Sequence, residues 1–196
     1  MHHSQSRMIG RLKALLRKGS ICLPVTGALH SAGCIFAPPP VDNDNPPLYQ
    51  TAETPEKLLE NFTLSYETRN IDEYLHCLHD DFEFILLEVD WADYNGDGII
   101  DHSWGRDKEE EFTTGMFMSD SAQNIELTLN GTSNTEYYGD PTGATRQLVR
   151  SFELKVYFVE DGVQVGHRAS GEAIFLCRPD ENGEYRIWQW TDLSEV

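Results

Sequence analysis

Phe152-Glu153-Leu154-Lys155-Val156-Tyr157-Phe158-Val159-Glu160-Asp161-Gly162-Val163 is the stretch on which the fold turns. Phe152, Leu154, Val156 and Phe158 recur at every second position, the period of a strand that presents one face to a core and the other to water. Asp161-Gly162 is a two-residue hairpin turn, so the chain doubles back into a second strand over Val163–Cys177. Upstream, Ile125, Leu127 and Leu129 repeat the alternation. Downstream, Asn182-Gly183 turns the chain into a last strand, Tyr185–Leu193, with Trp188 and Trp190 on one face. Because the turns fix register, residues 147–160, 163–177 and 185–193 are predicted as consecutive antiparallel strands of one sheet.

Toward the N-terminus the period changes to that of a helix. Thr54-Pro55-Glu56-Lys57 supplies an N-cap followed by proline at the first helical position, and Leu58, Leu59, Phe62 and Tyr66 then recur at helical spacing. Asn70 caps a shorter helix from Ile71 through Leu78, and the apolar run Phe82 to Val89 reads as a strand. Asp107 with Glu110 three residues on forms a capping box, opening a helix that buries Phe112, Met116 and Phe117. Helices first and long antiparallel strands afterwards give an α+β fold, and residues 53–196 are one domain with room for a sizeable core.

Between the first strand and the third helix, residues 90–104 contain Asp93-Tyr94-Asn95-Gly96-Asp97-Gly98-Ile99-Ile100-Asp101. Asp93, Asn95, Asp97 and Asp101 alternate as oxygen donors, Ile99 can offer a backbone carbonyl, and Gly96 and Gly98 let the chain curl around a small hard cation. Ile100 stands where an apolar side chain turns inward beside such a loop. The pattern resembles the calcium loops of EF-hand and dockerin type, which implies a structural calcium site. It departs at the twelfth position, where Trp104 replaces the bidentate glutamate, and in its flank, a strand in place of an entering helix. The competing reading is a glycine-rich hairpin tip whose acids keep it soluble.

The first 33 residues hold five cationic side chains (Arg7, Arg11, Lys13, Arg17, Lys18) and no acid, whereas all 33 acids of the chain lie beyond them. A basic run, the short apolar stretch Ile21–Leu29 and then Ser31-Ala32-Gly33-Cys34 give the order of a secretory signal peptide, residues 1–33. No stretch reaches the roughly 18 apolar residues of a spanning helix. Ser31-Ala32-Gly33-Cys34 also resembles a bacterial lipobox, with Cys34 as the lipidated first residue of the mature chain. An unlipidated export signal and a basic tail that stays attached are the alternatives. Residues 34–52, with Pro38-Pro39-Pro40 and Pro46-Pro47, read as a stiff tether. Cleavage before Cys34 leaves ten basic against 33 acidic residues, a net charge of −23, which excludes nucleic acid as a partner and leaves the lipid anchor as the only hold on a membrane. Cys77 and Cys177 either pair in an oxidising compartment or stay as two buried thiols.

The order helix, helix, strand, helix, four long strands resembles the nuclear transport factor 2-like (ketosteroid-isomerase-like) superfamily. The stretches carrying the resemblance are Thr54–Leu59, Tyr74–Phe82, Trp104-Gly105-Arg106-Asp107 and Trp188–Asp192, and they are similar to uncharacterised bacterial lipoproteins of that group. The resemblance implies a cone: a strongly bent antiparallel sheet wrapped around about three helices, able to take a small apolar ligand or to form a homodimer. It also implies a choice between non-catalytic binding domains and small-molecule isomerases or dehydratases. An enzyme needs a proton-transfer group in the cone; the candidates are His79 and Asp81 at the second helix's junction with the first strand, and His167 on an apolar strand face. No nucleophile triad, CxxC, HExxH, phosphate loop or dinucleotide loop is present. The reading adopted is an exported, lipid-anchored, non-catalytic binding or scaffold domain of a bacterial cell envelope, carrying structural calcium at Asp93, Asn95, Asp97, Ile99 and Asp101.

Overall fold

The computed structural model describes residues 49–160 and 163–193. The signal segment 1–33, Cys34, most of the proline-rich tether and the turn Asp161-Gly162 lie outside the described residues.

Helix α1 spans Pro55–Thr68 and α2 Ile71–His76; strand β1 is Leu78–Ile85, β2 Ser103–Gly105; α3 is Arg106–Phe117; and β3 Ala122–Glu136, β4 Arg146–Glu160, β5 Val163–Pro179 and β6 Tyr185–Asp192 complete the chain. The Thr54 side chain accepts the Lys57 N–H and the Asn70 side chain the Glu73 N–H, so both helices begin where their caps place them. Arg69 ends α1 in the left-handed region (φ 51°), and its guanidinium donates to the Ala122 carbonyl at the start of β3.

The six strands form one curled, unclosed sheet in the order β2-β1-β6-β5-β4-β3. All neighbours are antiparallel except β1 and β6, which are parallel. Along β4, Leu148, Phe152, Leu154, Val156 and Phe158 are buried and pair with Phe175, Gly171, Ala169, His167 and Val165 of β5. The period-two face predicted from sequence is therefore the concave face on which the helices lie. Residues 147–160 and 163–177 are consecutive antiparallel strands, and β6 follows β5 through a turn in which Gly183 takes φ 83° and donates to the Asp180 carbonyl.

Several boundaries differ from the sequence reading. The second helix ends at His76, and β1 begins at Leu78, four residues before Phe82; Leu78 pairs with Ile187 and so is drawn into the sheet. Asp107 is not an N-cap. Gly105 holds that place without a side-chain hydrogen bond, because residues 103–105 pair with β1 and start the helix earlier. Trp188 and Trp190 do not share surroundings. A register shift leaves Trp188 as an extra residue between Leu176↔Gln189 and Cys177↔Ile187, so Trp190 joins the core while Trp188 stacks on the Arg178 guanidinium at 4.6 Å. Residues 49–52, assigned to the tether, pack on the domain: Gln50 exchanges hydrogen bonds with Asn61, and the Ala52 carbonyl accepts from Tyr185 N–H.

Cys77 and Cys177 are free and buried. Ile187 separates them, donating its N–H to the Cys77 carbonyl on one side and pairing with Cys177 on the other. Two inter-strand spacings amount to roughly 9–10 Å, beyond the ~7 Å a disulfide spans.

Candidate functional site

The concave side of the sheet is filled by rings. Phe62 of α1 lies in edge or tilted contact with Tyr66, Tyr74, Phe175 and Trp190 at 5.3–6.0 Å, and Phe117 closes on Tyr66 and Tyr74. Phe84 stacks on Trp104 at 4.6 Å and meets Trp190 edge-on. Such offset and edge-to-face packing couples α1, α2, α3 and the sheet into one aromatic centre.

One carboxyl sits inside it. Glu109 is fully buried; the Tyr74 hydroxyl donates to Oε1, the Trp104 indole N–H to Oε2 at 2.8 Å, and the Thr113 hydroxyl to Oε1 at 3.1 Å. A buried carboxyl needs such partners, since a bare one carries a desolvation cost of several kcal/mol. The Tyr74 hydroxyl is pushed well above its ordinary range by burial and by the Glu109 charge, and Tyr66 likewise, so both stay protonated and Tyr74 donates as a neutral phenol. The sequence reading missed Glu109, although a signal was present. Glu109, Phe112, Thr113, Met116 and Phe117 follow the i, i+3, i+4, i+7, i+8 stripe of one helix face, and all five are buried.

The proton-transfer candidates read from sequence are elsewhere. His79 and Asp81 are within β1 rather than at a helix–strand junction. His79 Nδ1 accepts from the Asp81 N–H at 3.0 Å and lies 3.1 Å from Arg178 Nη2, which also pairs with the exposed Asp81 carboxylate at 2.8 Å. Burial and then the Arg178 charge hold the His79 imidazole below its usual value, so its Nδ1 serves as an acceptor. His167 is half-buried, edge-on to Phe158 at 5.4 Å. Since Leu78 aligns through Ile187 with Cys177, His167 is ten residues further along β5, roughly 30 Å away at about 3.3 Å per residue. The structure brings His79 and Asp81 together around Arg178 and places His167 apart from both.

The Asp93–Asp101 loop is closed at its base by a bridge between Ala92 and Asp101, with Asp101 N–H donating to the Ala92 carbonyl at 2.9 Å. Gly96 and Gly98 take φ of 75° and 84°, as the tight curl requires. Asp93 accepts from the N–H groups of Gly96, Asp97 and Gly98, which hold its carboxyl below the usual carboxylate range, the Gly98 bond most of all. Asp101 accepts from the N–H groups of Tyr94 and Asn95 and from the Asn95 amide, and Asp97 from the Ile99 N–H. These carboxylates face the loop's own amides; among the described residues, no three of His, Cys, Asp and Glu converge on one metal position. Ile100 is 52% exposed, contrary to the inward position read from sequence. The inward residue is Tyr94. Its ring meets Trp104 at 5.2 Å and Phe112 at 6.1 Å, and its hydroxyl donates to the Asp90 carbonyl. Trp104, which stands where a glutamate ligand is expected, is instead a core residue.

No known family profile matches the sequence, and neither does a curated protein. Solved structures are similar to it in fold. A nuclear transport factor 2-like superfamily protein from Salmonella enterica serovar Typhimurium LT2 is 11% identical, with TM-score 0.50, over 71% of this chain and 87% of that one. A conserved protein from Planctomyces limnophilus is 12% identical, with TM-score 0.50, over 70% and 90%. A candidate scytalone dehydratase from Novosphingobium aromaticivorans is 8% identical, with TM-score 0.52, over 72% and 81%. Identities this low speak to architecture, and the architecture agrees with the curled, unclosed sheet and concave-side helices described above: the chain has the nuclear transport factor 2-like cone fold.

Proposed function

We propose that the chain is a non-catalytic binding or scaffold domain, braced by calcium at Asp93, Asn95, Asp97, the Ile99 carbonyl and Asp101, exported, and held at a bacterial envelope through lipid on Cys34. The observation that carries the non-catalytic part is the filling of the cone: Phe62, Tyr66, Tyr74, Phe84, Phe175 and Trp190 occupy the side of the sheet where a small molecule would have to lie. A pocket for catalysis needs space beside its polar groups, and here the polar group, Glu109, is fully engaged by protein donors. The test is binding of an environment-sensitive apolar dye at neutral pH. The proposal expects no saturable signal; saturable binding abolished by Trp190→Ala would overturn it.

Calcium is supported by the donor spacing and by the two left-handed glycines that curl the loop. With no twelfth-position carboxylate, affinity belongs in the weak range of extracellular modules, roughly 10⁻⁴–10⁻³ M. Calorimetric titration checks this directly. Chelation should lower the melting temperature of the wild type and leave Asp97→Ala unchanged, because an ion bound only by the folded state stabilises by mass action. An equal response in both proteins means the loop is an acidic turn. Export and anchoring rest on the basic, apolar and Ser31–Cys34 order. Cys34→Ser should release the domain from the membrane fraction, since its net negative surface is repelled by anionic lipid.

The alternative, an isomerase- or dehydratase-type enzyme using the cone, is favoured by Glu109: a carboxyl beside a tyrosine in an apolar interior is suited to proton transfer once a substrate reaches it.

A further inference from the structure

We infer that the groove between α1 and the edge strand β3 binds the C-terminal end of an extended basic peptide, which adds to β3 as a further strand and sets its terminal carboxylate on Arg150. β3 pairs only with β4, so along its other side the N–H and C=O groups of alternate residues have no strand partner. Register shifts between Ala122 and Asn124 and between Gly131 and Ser133 bound a regular stretch, Asn124–Gly131, and the residues of β3 that line the groove lie within it. α1 runs alongside: the Asn134 amide donates to Glu56 near one end, and Arg69 donates to the Ala122 carbonyl at the other. The groove has a volume of about 590 Å³ and an apolar floor from Leu64, Leu127 and Leu129. A helix beside an unpaired strand edge is the setting in which an extended peptide gains affinity from main-chain bonds and specificity from alternate side chains.

The charges of the groove choose the ligand. Arg150 is 8% exposed, and its side chain lines the groove. Its Nη1 donates to the Ser133 and Val149 carbonyls at 2.7 and 2.9 Å. Nη2 and Nε have no protein partner among the described residues and are not sealed from solvent, which leaves part of the planar fork for a carboxylate. Glu60 and Glu67, seven residues apart and therefore on one face of α1, stand exposed on the opposite wall. Among the described residues neither of them, nor Arg150, is in an ion pair. A simple anion meets the glutamates and a simple cation meets Arg150; a peptide with a free C-terminus and a lysine close behind it answers both. Arg150 pairs with Gly131, four residues from Leu127, so the groove runs roughly 13 Å from the cation along the strand, the length of about four extended residues. The C-terminal residue and the one two before it point to the same side of the added strand. An apolar residue at the first rests on Leu129; a lysine at the second lays its stem over Leu127 and Leu64 and carries its ammonium to the glutamates. The inference gives the binding domain proposed above a ligand class and rests on that reading, though not on calcium or the lipid anchor. The two fail separately: dye binding lost in Trp190→Ala refutes the filled cone, and the peptide results below refute only the groove.

The experiment is fluorescence polarisation of the tetrapeptide Thr-Lys-Val-Leu, labelled at its N-terminus and free at its C-terminus, titrated with the full chain at physiological salt. Binding should saturate, and the C-terminal amide and the peptide with glutamate in place of lysine should each bind at least tenfold more weakly. Arg150→Met should abolish the preference for acid over amide. Glu60→Gln/Glu67→Gln, a pair of exposed changes that leaves the core intact, should abolish the preference for lysine over glutamate. Only alternate N–H groups of an added strand face β3, so N-methylation of the valine and of the leucine should differ, one costing at least tenfold and the other little. No saturable binding at millimolar chain, equal affinity for acid and amide, an unchanged lysine preference in Glu60→Gln/Glu67→Gln, or equal effects of the two methylations would overturn the proposal. So would a sedimenting dimer that the peptide leaves intact, since a second copy would then hold the edge.

Discussion

Replacing Glu109 by leucine tests whether the carboxyl inside the aromatic centre holds the fold together or weakens it. Leucine fills nearly the same volume but accepts nothing, so three donors lose their partner. Thr113 can turn its hydroxyl back to the carbonyl four residues earlier, a common helical alternative. The Trp104 indole has no such escape and the Tyr74 hydroxyl keeps only its Tyr66 and Thr113 neighbours, and each buried orphan costs about 1–3 kcal/mol. Against this, removing the carboxyl relieves its own burial and adds apolar contact, returning about 1–3 kcal/mol. The net expectation is a loss of about 2–3 kcal/mol, or roughly 5–12 °C in melting temperature for a domain of this size. Urea unfolding followed by tryptophan fluorescence measures it, Trp104 being a direct neighbour. The orphan argument also predicts a rescue. Tyr74→Phe should destabilise the wild type yet recover about 1–3 kcal/mol in the Glu109→Leu background, because it deletes one unsatisfied donor. Glu109→Leu as stable as the wild type, or no rescue by Tyr74→Phe, refutes the reasoning.

Other outcomes follow from the same geometry. Cys77, pushed up to about 12 by burial, and Cys177, raised further by the same cause, should both resist a thiol reagent in the folded protein and react fully in urea; rapid native labelling of either would contradict the packing around Ile187. His79 has a folded value below its unfolded one, so its contribution to stability is present above about pH 6.5 and is lost as pH falls; His79→Gln should flatten the decline in urea midpoint between pH 7 and 5. Asp140 is held low by the Thr142 and Thr145 side chains and their N–H groups, so its contribution is fully present above about pH 4 and is lost progressively as pH falls below that; Asp140→Asn should weaken the protein at pH 7, and its deficit relative to the wild type should shrink steadily as pH is lowered from about 4 to about 2. Phe62→Ala, which removes a ring touching four others, should cost about 3–5 kcal/mol.

The parts of the fold legible in the sequence are those where one local rule acts alone. Alternation at Phe152, Leu154, Val156 and Phe158 identifies β4 because a strand with one buried face allows no other period, and Asn182-Gly183 identifies a turn because the chain there needs a positive φ. The misplacements occur where partners distant in sequence take over. His79 and Asp81 belong to β1 because Leu78 finds Ile187, more than a hundred residues away. Trp188 leaves the face of Trp190 because of a bulge that alternation does not announce.

Glu109 was obscured for a different reason. A glutamate three residues after Arg106, at the head of an acidic helix, looks like first-turn charge complementing the dipole; only its phase with Phe112, Met116 and Phe117 shows that it must face the core. The loop and the cone, separate topics in the sequence, then turn out to be joined. Tyr94 lies between Asp93 and Asn95 and has its N–H on Asp101, while its ring rests on Trp104, whose indole holds Glu109. Loosening the loop therefore removes a wall from the aromatic centre, and loosening Trp104 removes the seat of the loop. A loop between β1 and β2 that merely hung from the sheet would need neither a tyrosine turned inward at 94 nor a tryptophan at 104 to receive it.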